Sequence, residues 1–234
     1  MEFNERVAII TGASGNLGRA VVKAFQERGA RTVLFDMHRA HLEQAFGSET
    51  ERMRFAALNL LDSSQVEAAV KATVARFGRI DALANLAGGF KMGPPVHATS
   101  DADWNFLLDL NARTVLNMAR AVVPQMLERG GGKIVNIGAF TAQKGAAHMG
   151  AYVASKAVVI RLTESMAAEL REKNINVNCV LPTTLDTPQN RAEMPTADPK
   201  RWVATEDLAN VIVFLCSDAA RAIHGAAIPV TGLS

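Results

Sequence analysis

The sequence predicts an α/β fold, in which a parallel β-sheet carries helices on both faces. Short runs rich in β-branched residues alternate along the chain with longer segments of helical periodicity. A strand–helix–strand order of this kind implies parallel pairing through right-handed crossovers. No linker, repeat or low-complexity segment divides the 234 residues. We therefore expect one domain over residues 1–234.

Local composition predicts each element in turn. Apolar, β-branched runs predict strands at 6–11, 31–36, 54–60, 81–89, 132–138, 175–182 and 226–230. Helical periodicity predicts helices at 16–29, 63–78, 101–129, 151–173 and 205–218. We expect the helix at 101–129 to be interrupted or curved near Pro124, because proline lacks the N–H that a helix interior uses.

The segment 183–203 is irregular and contains three prolines. It follows the C-terminal end of a predicted strand, where open α/β sheets bind their ligands. A loop of this length in a compact domain is usually functional. We interpret it as a substrate loop.

Composition and charge argue against several functional classes. Hydrophobic residues make up 49% and charged residues 21%, and the net charge of +2 comes from mixed signs spread along the chain. No basic block predicts binding to nucleic acid or to an anionic membrane. No apolar run approaches the roughly 20 residues that span a bilayer. The expected location is therefore the cytoplasm. The two cysteines, Cys179 and Cys216, show no spacing typical of a metal site.

The segment "TGASGNLG" at 11–18 joins the first predicted strand to the first predicted helix. A glycine-rich turn at this point lets backbone N–H groups and a helix N-terminus face a pyrophosphate. In this interpretation Gly12 permits the tight turn, Gly15 permits close approach of the ligand, and Gly18 lets the helix pack on the sheet. The alternative is an ordinary tight turn, which also uses glycine.

Asp36 lies 18 residues after Gly18 and is the last residue of the second predicted strand. A carboxylate there accepts hydrogen bonds from an adenosine ribose and repels a 2′-phosphate, so Asp36 predicts NAD(H) as the preferred cofactor. The alternative role for Asp36 is a helix N-cap. His38 and Arg39 lie nearby and leave NADP(H) open.

Tyr152 is the only tyrosine of the chain, and Lys156 follows four residues later in a predicted helix. Free tyrosine has a pKa of about 10 and is a poor acid–base group at neutral pH. An ammonium group one helical turn away favours the phenolate, so we expect Lys156 to lower the pKa of Tyr152. The pair is a candidate proton donor and acceptor beside a hydride transfer. The alternative is a surface pair that shares one helix face.

Five motifs occur in the order and spacing of the short-chain dehydrogenase/reductase family, which the chain resembles over nearly its whole length. They are "TGASGNLG", "NLAG" at 85–88, Asn111 in "LDLNA", "YVASK" at 152–156, and Pro182 with Thr187. The resemblance implies a single Rossmann-type domain with a seven-stranded parallel sheet and an NAD(P)-dependent oxidoreductase activity. It also implies a homodimer or homotetramer formed through the helices at 101–129 and 151–173.

The resemblance further implies roles for individual residues. Tyr152 is implied as the acid–base residue, Lys156 as the group that binds the nicotinamide ribose, and Asn111 as the support of a proton-relay water. Asn59 and Leu60 are implied to flank the adenine, although the family usually has aspartate at position 59. The remaining implied cofactor contacts are Ser14, Asn16, Leu17, Ala87, Gly88, Pro182 and Thr187, the last of these to the carboxamide.

Position 139 departs from the family pattern. The serine that usually stands thirteen residues before the tyrosine is Ala139 here. Ala139, "AGGF" at 87–90 and "LPTTLDTPQNRAEMPTADPKRW" at 181–202 resemble the dihydropteridine reductases of that family. Ketone reduction builds negative charge on one oxygen, which a hydroxyl donor stabilises. A quinonoid dihydropteridine instead accepts hydride into a conjugated ring, so that donor is dispensable.

Two alternatives stay open for the substrate. In the first, the protein is a carbonyl or hydroxyl oxidoreductase, such as a 3-oxoacyl reductase, and Thr141 or Gln143 supplies the missing donor. In the second, it is an NAD-binding scaffold with little catalysis. The preferred interpretation expects a small-molecule substrate, with candidate pocket residues Phe90, Ala139, Thr141, Gln143 and His148.

Overall fold

Seven parallel strands form one sheet in the computed structural model, which describes residues 2–234. In chain order, the strands of these residues are β1 (Val7–Thr11), β2 (Arg31–Asp36), β3 (Met53–Ala57), β4 (Ala82–Asn85), β5 (Gly132–Ile137), β6 (Ile175–Pro182), β7 (Leu185–Asp186), β8 (Val203–Ala204) and β9 (Ala227–Val230). The main sheet has the order β3-β2-β1-β4-β5-β6-β9, and β7 pairs only with β8. The predicted α/β class with a seven-stranded parallel sheet is confirmed.

Helices cover both faces of this sheet. They are α1 (Asn16–Gln26), α2 (Arg39–Phe46), α3 (Ser63–Phe77), α4 (Asp101–Leu108), α5 (Thr114–Arg129), α6 (Gly150–Leu170), α7 (Pro188–Glu193) and α8 (Thr205–Leu215). Successive side chains of β1 point to opposite faces. Ala8 and Ile10 pack in a core with α1 and α8, whereas Val7 and Ile9 pack in a core with α3 and α5. Burial on both faces explains why the strand is a continuous apolar run.

The direction in which strands are added reverses at β1. The chain builds outward from β1 to β3 and then returns to place β4 on the other side of β1. In open α/β sheets, the crevice beyond the carboxyl ends of the two strands at such a point is where ligands bind. The glycine-rich turn follows β1, and the segment containing Gly88 and Phe90 follows β4.

The interruption expected near Pro124 was wrong. Helix α5 runs through Pro124, with the buried Val122 and Met126 holding it on the sheet from either side. The break lies instead at a π-helical turn, Asp109–Arg113, which separates α4 from α5. Such turns insert one residue into a helix and occur frequently at functional sites. This one contains the buried Asn111.

The segment 183–203 is more regular than the sequence indicated, because it contains β7, α7, a 3₁₀ turn at Pro199–Arg201 and β8. Helix α2 lacked a clear sequence signal, since Leu42 is its only buried residue. Within residues 2–234, no helix has both the length and the apolar character needed to cross a bilayer.

Candidate active site

The glycine-rich turn is packed so closely that side chains are excluded at two of its positions. Gly12 has φ +62°, and a Cβ there would lie 3.1 Å from the backbone N of Ala87. A Cβ on Gly18 would overlap the carbonyl oxygens of Gly12 and Ala13. Gly15 precedes α1, and no side chain caps this helix end. The first N–H groups of α1 therefore lack an intrahelical acceptor and face outward from the turn.

Asp36 lies at the carboxyl end of β2 and is held by Ser14. Its Oδ2 accepts hydrogen bonds from the Ser14 N–H (3.0 Å) and from the Ser14 hydroxyl (2.7 Å). Its Oδ1 accepts from the N–H of Met37 at 2.8 Å. The residue before α2 is His38 rather than Asp36, so the helix-cap alternative for Asp36 is wrong.

Arg39, the basic residue that left NADP(H) open, is bound to two carboxylates. Its Nε donates to Glu43 at 2.8 Å and its terminal nitrogen donates to Glu49 at 3.4 Å. These hydrogen bonds, that of Glu43 first, raise the pKa of Arg39 above its usual value. The guanidinium also lies 5.8 Å from the ring centroid of Phe55. Its charge is therefore compensated within the protein.

Thr11 joins the ends of β1 and β4, a role that the sequence analysis missed. Its buried hydroxyl oxygen accepts from the N–H groups of Leu86 (3.0 Å) and Ala87 (3.1 Å). These contacts fix the segment after β4 against the glycine-rich turn. The only sequence signal for them was a hydroxyl residue at the last position of the first strand.

The side-chain amide of Asn111 connects three parts of the site. Its Oδ1 accepts from the Gly89 N–H at 2.9 Å, and its Nδ2 donates to the Gly89 carbonyl at 3.0 Å. Nδ2 also donates to the hydroxyl oxygen of Ser155 at 3.0 Å, and that hydroxyl donates to the carbonyl of Tyr152 at 2.7 Å. Asn111 therefore ties the π-helical turn to the segment after β4 and to the helix that carries Tyr152. Ser155 was missed because its small polar side chain gave no signal inside the helix.

Tyr152 and Lys156 lie one turn apart on α6, as their spacing required, but their electrostatics differ from expectation. Burial raises the pKa of Tyr152 to about 12. Lys156 is 5% exposed, its Nζ donates to the Ile137 carbonyl at 2.9 Å, and burial lowers its pKa to about 8. The expected lowering of the Tyr152 pKa by Lys156 is not seen in this arrangement, because the shift has the opposite direction. Its cause is burial of the phenol, which disfavours the charged form.

Ala139 is buried in an apolar cluster against which the Tyr152 ring packs. Thr141 and Gln143 are exposed, and the Gln143 amide donates to the Phe140 carbonyl at 3.3 Å. No hydroxyl therefore stands at position 139, and neither of the two proposed substitutes is buried beside the cluster.

Phe90 and His148 belong to two neighbouring segments at the same end of the sheet. The ring of Phe90 meets the ring of Tyr152 edge-to-face, with centroids 4.9 Å apart and an interplanar angle of 85°. His148 has φ +59°, and its carbonyl accepts from the Gly93 N–H at 2.8 Å. The substrate candidates Phe90 and His148 thus lie on segments that are hydrogen-bonded to each other.

The other residues with implied cofactor roles lie at the carboxyl ends of strands or just beyond them. Asn59 is exposed and accepts from the Leu61 N–H at 3.0 Å, and the carbonyl of the buried Leu60 accepts from Asn117 at 2.9 Å. Pro182 ends β6. The Thr187 hydroxyl caps α7 by accepting from the Asn190 N–H at 3.1 Å. Across residues 2–234, no group of three His, Cys, Asp or Glu side chains is arranged to hold a metal ion.

Comparison with known proteins identifies the family. Residues 6–198 match the family model described as short chain dehydrogenase. The chain belongs to the short-chain dehydrogenase/reductase family. It is therefore an oxidoreductase of that family, and the resemblance inferred from the five motifs is confirmed.

Individual members of the family align along almost the whole chain. A D-threitol dehydrogenase of Mycolicibacterium smegmatis is 33% identical over 97% of this chain and 92% of its own length. A 3-oxoacyl-(acyl-carrier-protein) reductase of Thermotoga maritima is 32% identical over 99% of this chain and 98% of its own length. The solved structure of an NAD⁺-bound xylitol dehydrogenase superimposes with a TM-score of 0.91 at 29% identity, covering 99% of this chain and 100% of that one.

Gly88 packs closely against two side chains of the site, and we predict that alanine there is costly. An added Cβ would lie 2.8 Å from Asn111 Oδ1 and 3.1 Å from Lys156 Nζ. One of these groups must then move, at a cost of about 1–3 kcal/mol. For a chain of this length, Tm should fall by about 2–12 °C in differential scanning calorimetry.

Gly145→Ala is the matched control for Gly88→Ala, because no atom lies within 4 Å of a Cβ at Gly145. Its Tm should stay close to that of the wild type. Equal Tm values for the two variants would contradict the close packing around Gly88.

Proposed function

We propose that the protein catalyses reversible hydride transfer between NAD(H) and a small organic substrate, with Tyr152 as the acid–base residue. The observation that carries this proposal is the convergence of Tyr152, Lys156 and Asn111 beside the glycine-rich turn, at the strand ends where the sheet order reverses. The family's dehydrogenases and reductases perform this class of reaction. In the reductive direction one hydride and one proton are added to the substrate.

The residues around the turn fit a dinucleotide. A Cβ on Gly12 or Gly18 would lie too close to neighbouring backbone atoms, so both positions need glycine and the turn presents only backbone there. A pyrophosphate can therefore approach the N–H groups of Asn16 and Leu17 at the start of α1. Ser14, Ala87 and Gly88 complete the backbone surface around it, and Asn59, Leu60, Pro182 and Thr187 border the adenine and nicotinamide ends. The nicotinamide supplies the hydride.

NAD(H) is favoured over NADP(H) by the charges at the end of β2. The Asp36 carboxylate is held there by Ser14, and its negative charge opposes a 2′-phosphate. Arg39 cannot offset that charge freely, because Glu43 and Glu49 already bind it. A solved relative with xylitol dehydrogenase activity was captured with NAD⁺.

Tyr152 donates the proton in the reductive direction, and Lys156 binds the nicotinamide ribose and supports the tyrosine. The raised pKa of Tyr152, about 12, keeps the phenol protonated at neutral pH, so the proton is in place when a substrate binds. Loss of that proton would be favoured by the positive charges of Lys156 and of a bound oxidised nicotinamide ring. The π-helical turn at Asn111 departs from regular i,i+4 pairing, a distortion that occurs frequently at functional sites, and Asn111 would support a proton-relay water there.

The substrate class favoured by position 139 is a quinonoid dihydropteridine or a similar conjugated imine. Ala139 provides no hydroxyl to stabilise an oxyanion, and the Tyr152 ring packs on an apolar cluster and on the ring of Phe90. The sequence of the 181–202 loop resembles the dihydropteridine reductases. Phe90, Thr141, Gln143 and His148 complete the proposed pocket.

A second candidate is a ketone or secondary alcohol. It is favoured by relatives at 32–33% identity that are named D-threitol dehydrogenase and 3-oxoacyl-(acyl-carrier-protein) reductase. In that case Thr141 or Gln143 has to turn inward to replace the donor lost at position 139. A third possibility, a scaffold that binds NAD(H) with little turnover, is an outcome of the substrate test below.

We further propose that the protein is a cytoplasmic homodimer or homotetramer. Large apolar side chains are exposed on the helices that the resemblance places at subunit contacts, namely Trp104 and Phe106 on α4, Leu127 on α5 and Val158 on α6. Burial of such side chains between subunits is favourable.

Removal of the phenolic hydroxyl should stop turnover and spare cofactor binding. Tyr152→Phe deletes a proton donor and changes little volume, so kcat should fall by well over tenfold while the Kd for NADH stays nearly constant. Lys156→Ala should lower kcat and weaken NADH binding, because we assign its ammonium group to the nicotinamide ribose and to the support of Tyr152. Fluorescence titration and steady-state kinetics separate these effects. A Tyr152→Phe enzyme that keeps more than about a tenth of the wild-type rate, a barrier change under about 1.4 kcal/mol, would mean that the proton comes from another group.

The cofactor preference should depend on the charge of Asp36. Asp36→Asn keeps the shape and an acceptor for Ser14 but removes the repulsion of a 2′-phosphate. We expect the ratio of NADPH to NADH dissociation constants to fall by about tenfold or more in this variant. Calorimetric titration of both cofactors measures the ratio, and tighter binding of NADPH than of NADH by the wild type would contradict the assignment.

A substrate panel combined with Ala139→Ser separates the candidate functions. NADH oxidation is followed with a quinonoid dihydropteridine and, separately, with ketones and 3-oxoacyl thioesters. We expect turnover of the pteridine, little turnover of ketones, and an increase in ketone reduction when Ala139→Ser restores the donor. Good wild-type ketone turnover that is lost in Thr141→Val would support the second candidate. NADH binding without any turnover would support the scaffold.

A further inference from the structure

We propose that Phe90 is a positioning residue, whose ring packs edge-to-face with the Tyr152 ring and holds it in its working orientation in a chain that lacks the usual serine at position 139. This inference rests on the proposed acid–base role of Tyr152 and adds how that side chain is held. It concerns a residue that acts through Tyr152 and not the proton transfer itself.

The contact between the two rings has the geometry of a favourable aromatic pair. The centroids are 4.9 Å apart and the planes cross at 85°, which brings the positive edge of one ring to the negative face of the other. The rest of the tyrosine ring packs on the apolar cluster that contains Ala139 and Ala142. Within residues 2–234, no hydrogen bond orients the phenolic hydroxyl, so packing alone sets the direction in which the ring points.

Phe90 is itself held by the backbone on both sides. Gly89, immediately before it, exchanges two hydrogen bonds with the Asn111 amide at 2.9 and 3.0 Å. Gly93, three residues after it, donates to the His148 carbonyl at 2.8 Å. The backbone that carries Phe90 is therefore fixed although its side chain is 53% exposed. Its ring can for that reason restrict the movement of the Tyr152 ring.

The same network fixes Tyr152 from the other side. Asn111 Nδ2 donates to Ser155, whose hydroxyl donates to the Tyr152 carbonyl. One amide thus sets the positions of both backbones from which the two rings project.

An alternative is that Phe90 only touches the substrate. The two roles differ in what they change in the absence of substrate. A positioning residue alters the environment of the Tyr152 phenol, whereas a residue that only contacts substrate leaves the phenol unaffected and alters KM. The other titratable groups around the phenol are Lys156 on α6, Cys179 on β6, and the Lys91–Asp103 ion pair that borders the cavity beside Tyr152.

Ultraviolet titration tests the proposal directly, because Tyr152 is the only tyrosine of the chain. Its ionisation near 295 nm is followed in the wild type, in Phe90→Leu and in Phe90→Trp, with circular dichroism showing over which pH range each protein stays folded. Phe46→Leu is the matched control, since it removes another aromatic pair, with Phe55 at a centroid distance of 6.4 Å, next to the edge strand β3. We expect Phe90→Leu to admit water to the phenol and to raise its ionisation constant at least tenfold, toward that of free tyrosine with a pKa of about 10. Phe90→Trp should retain most of the wild-type titration of Tyr152, and Phe46→Leu all of it.

Kinetics provide the second readout, with whichever substrate of the panel is turned over. In Phe90→Leu, kcat should fall by about threefold to tenfold, the range that an aromatic pair of this kind is worth, while KM for that substrate changes little. An unchanged tyrosine titration together with a raised KM and unchanged kcat would overturn the proposal and make Phe90 a substrate contact only.

A variant that fails to fold leaves a test on the wild-type protein. Tyrosine-selective isotope labelling gives signals from the ring of Tyr152 alone, because the chain has one tyrosine. The proposal requires nuclear Overhauser contacts between the protons of this ring and those of the Phe90 ring. Their absence would overturn the proposal. Full activity in Tyr152→Phe would instead refute the proposed function, and the titration of Tyr152 would still decide whether Phe90 shields its ring.

Discussion

The arrangement of the site depends on the side-chain amide of Asn111. Its oxygen accepts a hydrogen bond from the Gly89 N–H, and its nitrogen donates to the Gly89 carbonyl and to the Ser155 hydroxyl. The Ser155 hydroxyl in turn donates to the Tyr152 carbonyl. A buried amide is costly unless its groups are paired, so this residue favours one arrangement of three segments that are far apart in sequence. The π-helical turn that carries it is what brings the amide to the common point.

Charge and burial divide the site into two ends. At one end the Asp36 carboxylate is held by Ser14, and Arg39 is compensated by two glutamates. This arrangement of charges is the basis of the proposed preference for NAD(H). At the other end burial raises the pKa of Tyr152 and lowers that of Lys156. Both shifts disfavour the charged forms, but a pKa of about 8 leaves Lys156 mainly protonated at pH 7. This end of the site therefore holds one ammonium group and a neutral phenol.

The periodicity of the sequence was enough to predict the sheet, because strands buried on both faces form uninterrupted apolar runs that alternate with helices over most of the chain. The glycine-rich turn and the Tyr152–Lys156 spacing are local features, and they too could be read directly. The contact of Phe90 with Tyr152 and the bonds from Asn111 to Gly89 and Ser155 join residues far apart in the chain, so no local pattern encodes them. The interruption predicted near Pro124 does not occur, because packing on both sides of the proline holds helix α5 together. The direction of the Tyr152 pKa shift was not predicted, because the spacing of two residues does not reveal how deeply they are buried.

Residue-resolved hydrogen exchange in wild-type protein and in Asn111→Leu tests the central role of this amide most directly. The leucine keeps most of the volume and removes both hydrogen-bonding groups. The account predicts that the Gly89 amide hydrogen, bonded to Asn111 Oδ1, exchanges at least about tenfold faster in the variant. The Gly93 amide, bonded to the His148 carbonyl, should keep its rate. An unchanged exchange rate at Gly89 would contradict the account, because the segment after β4 would then be held without Asn111.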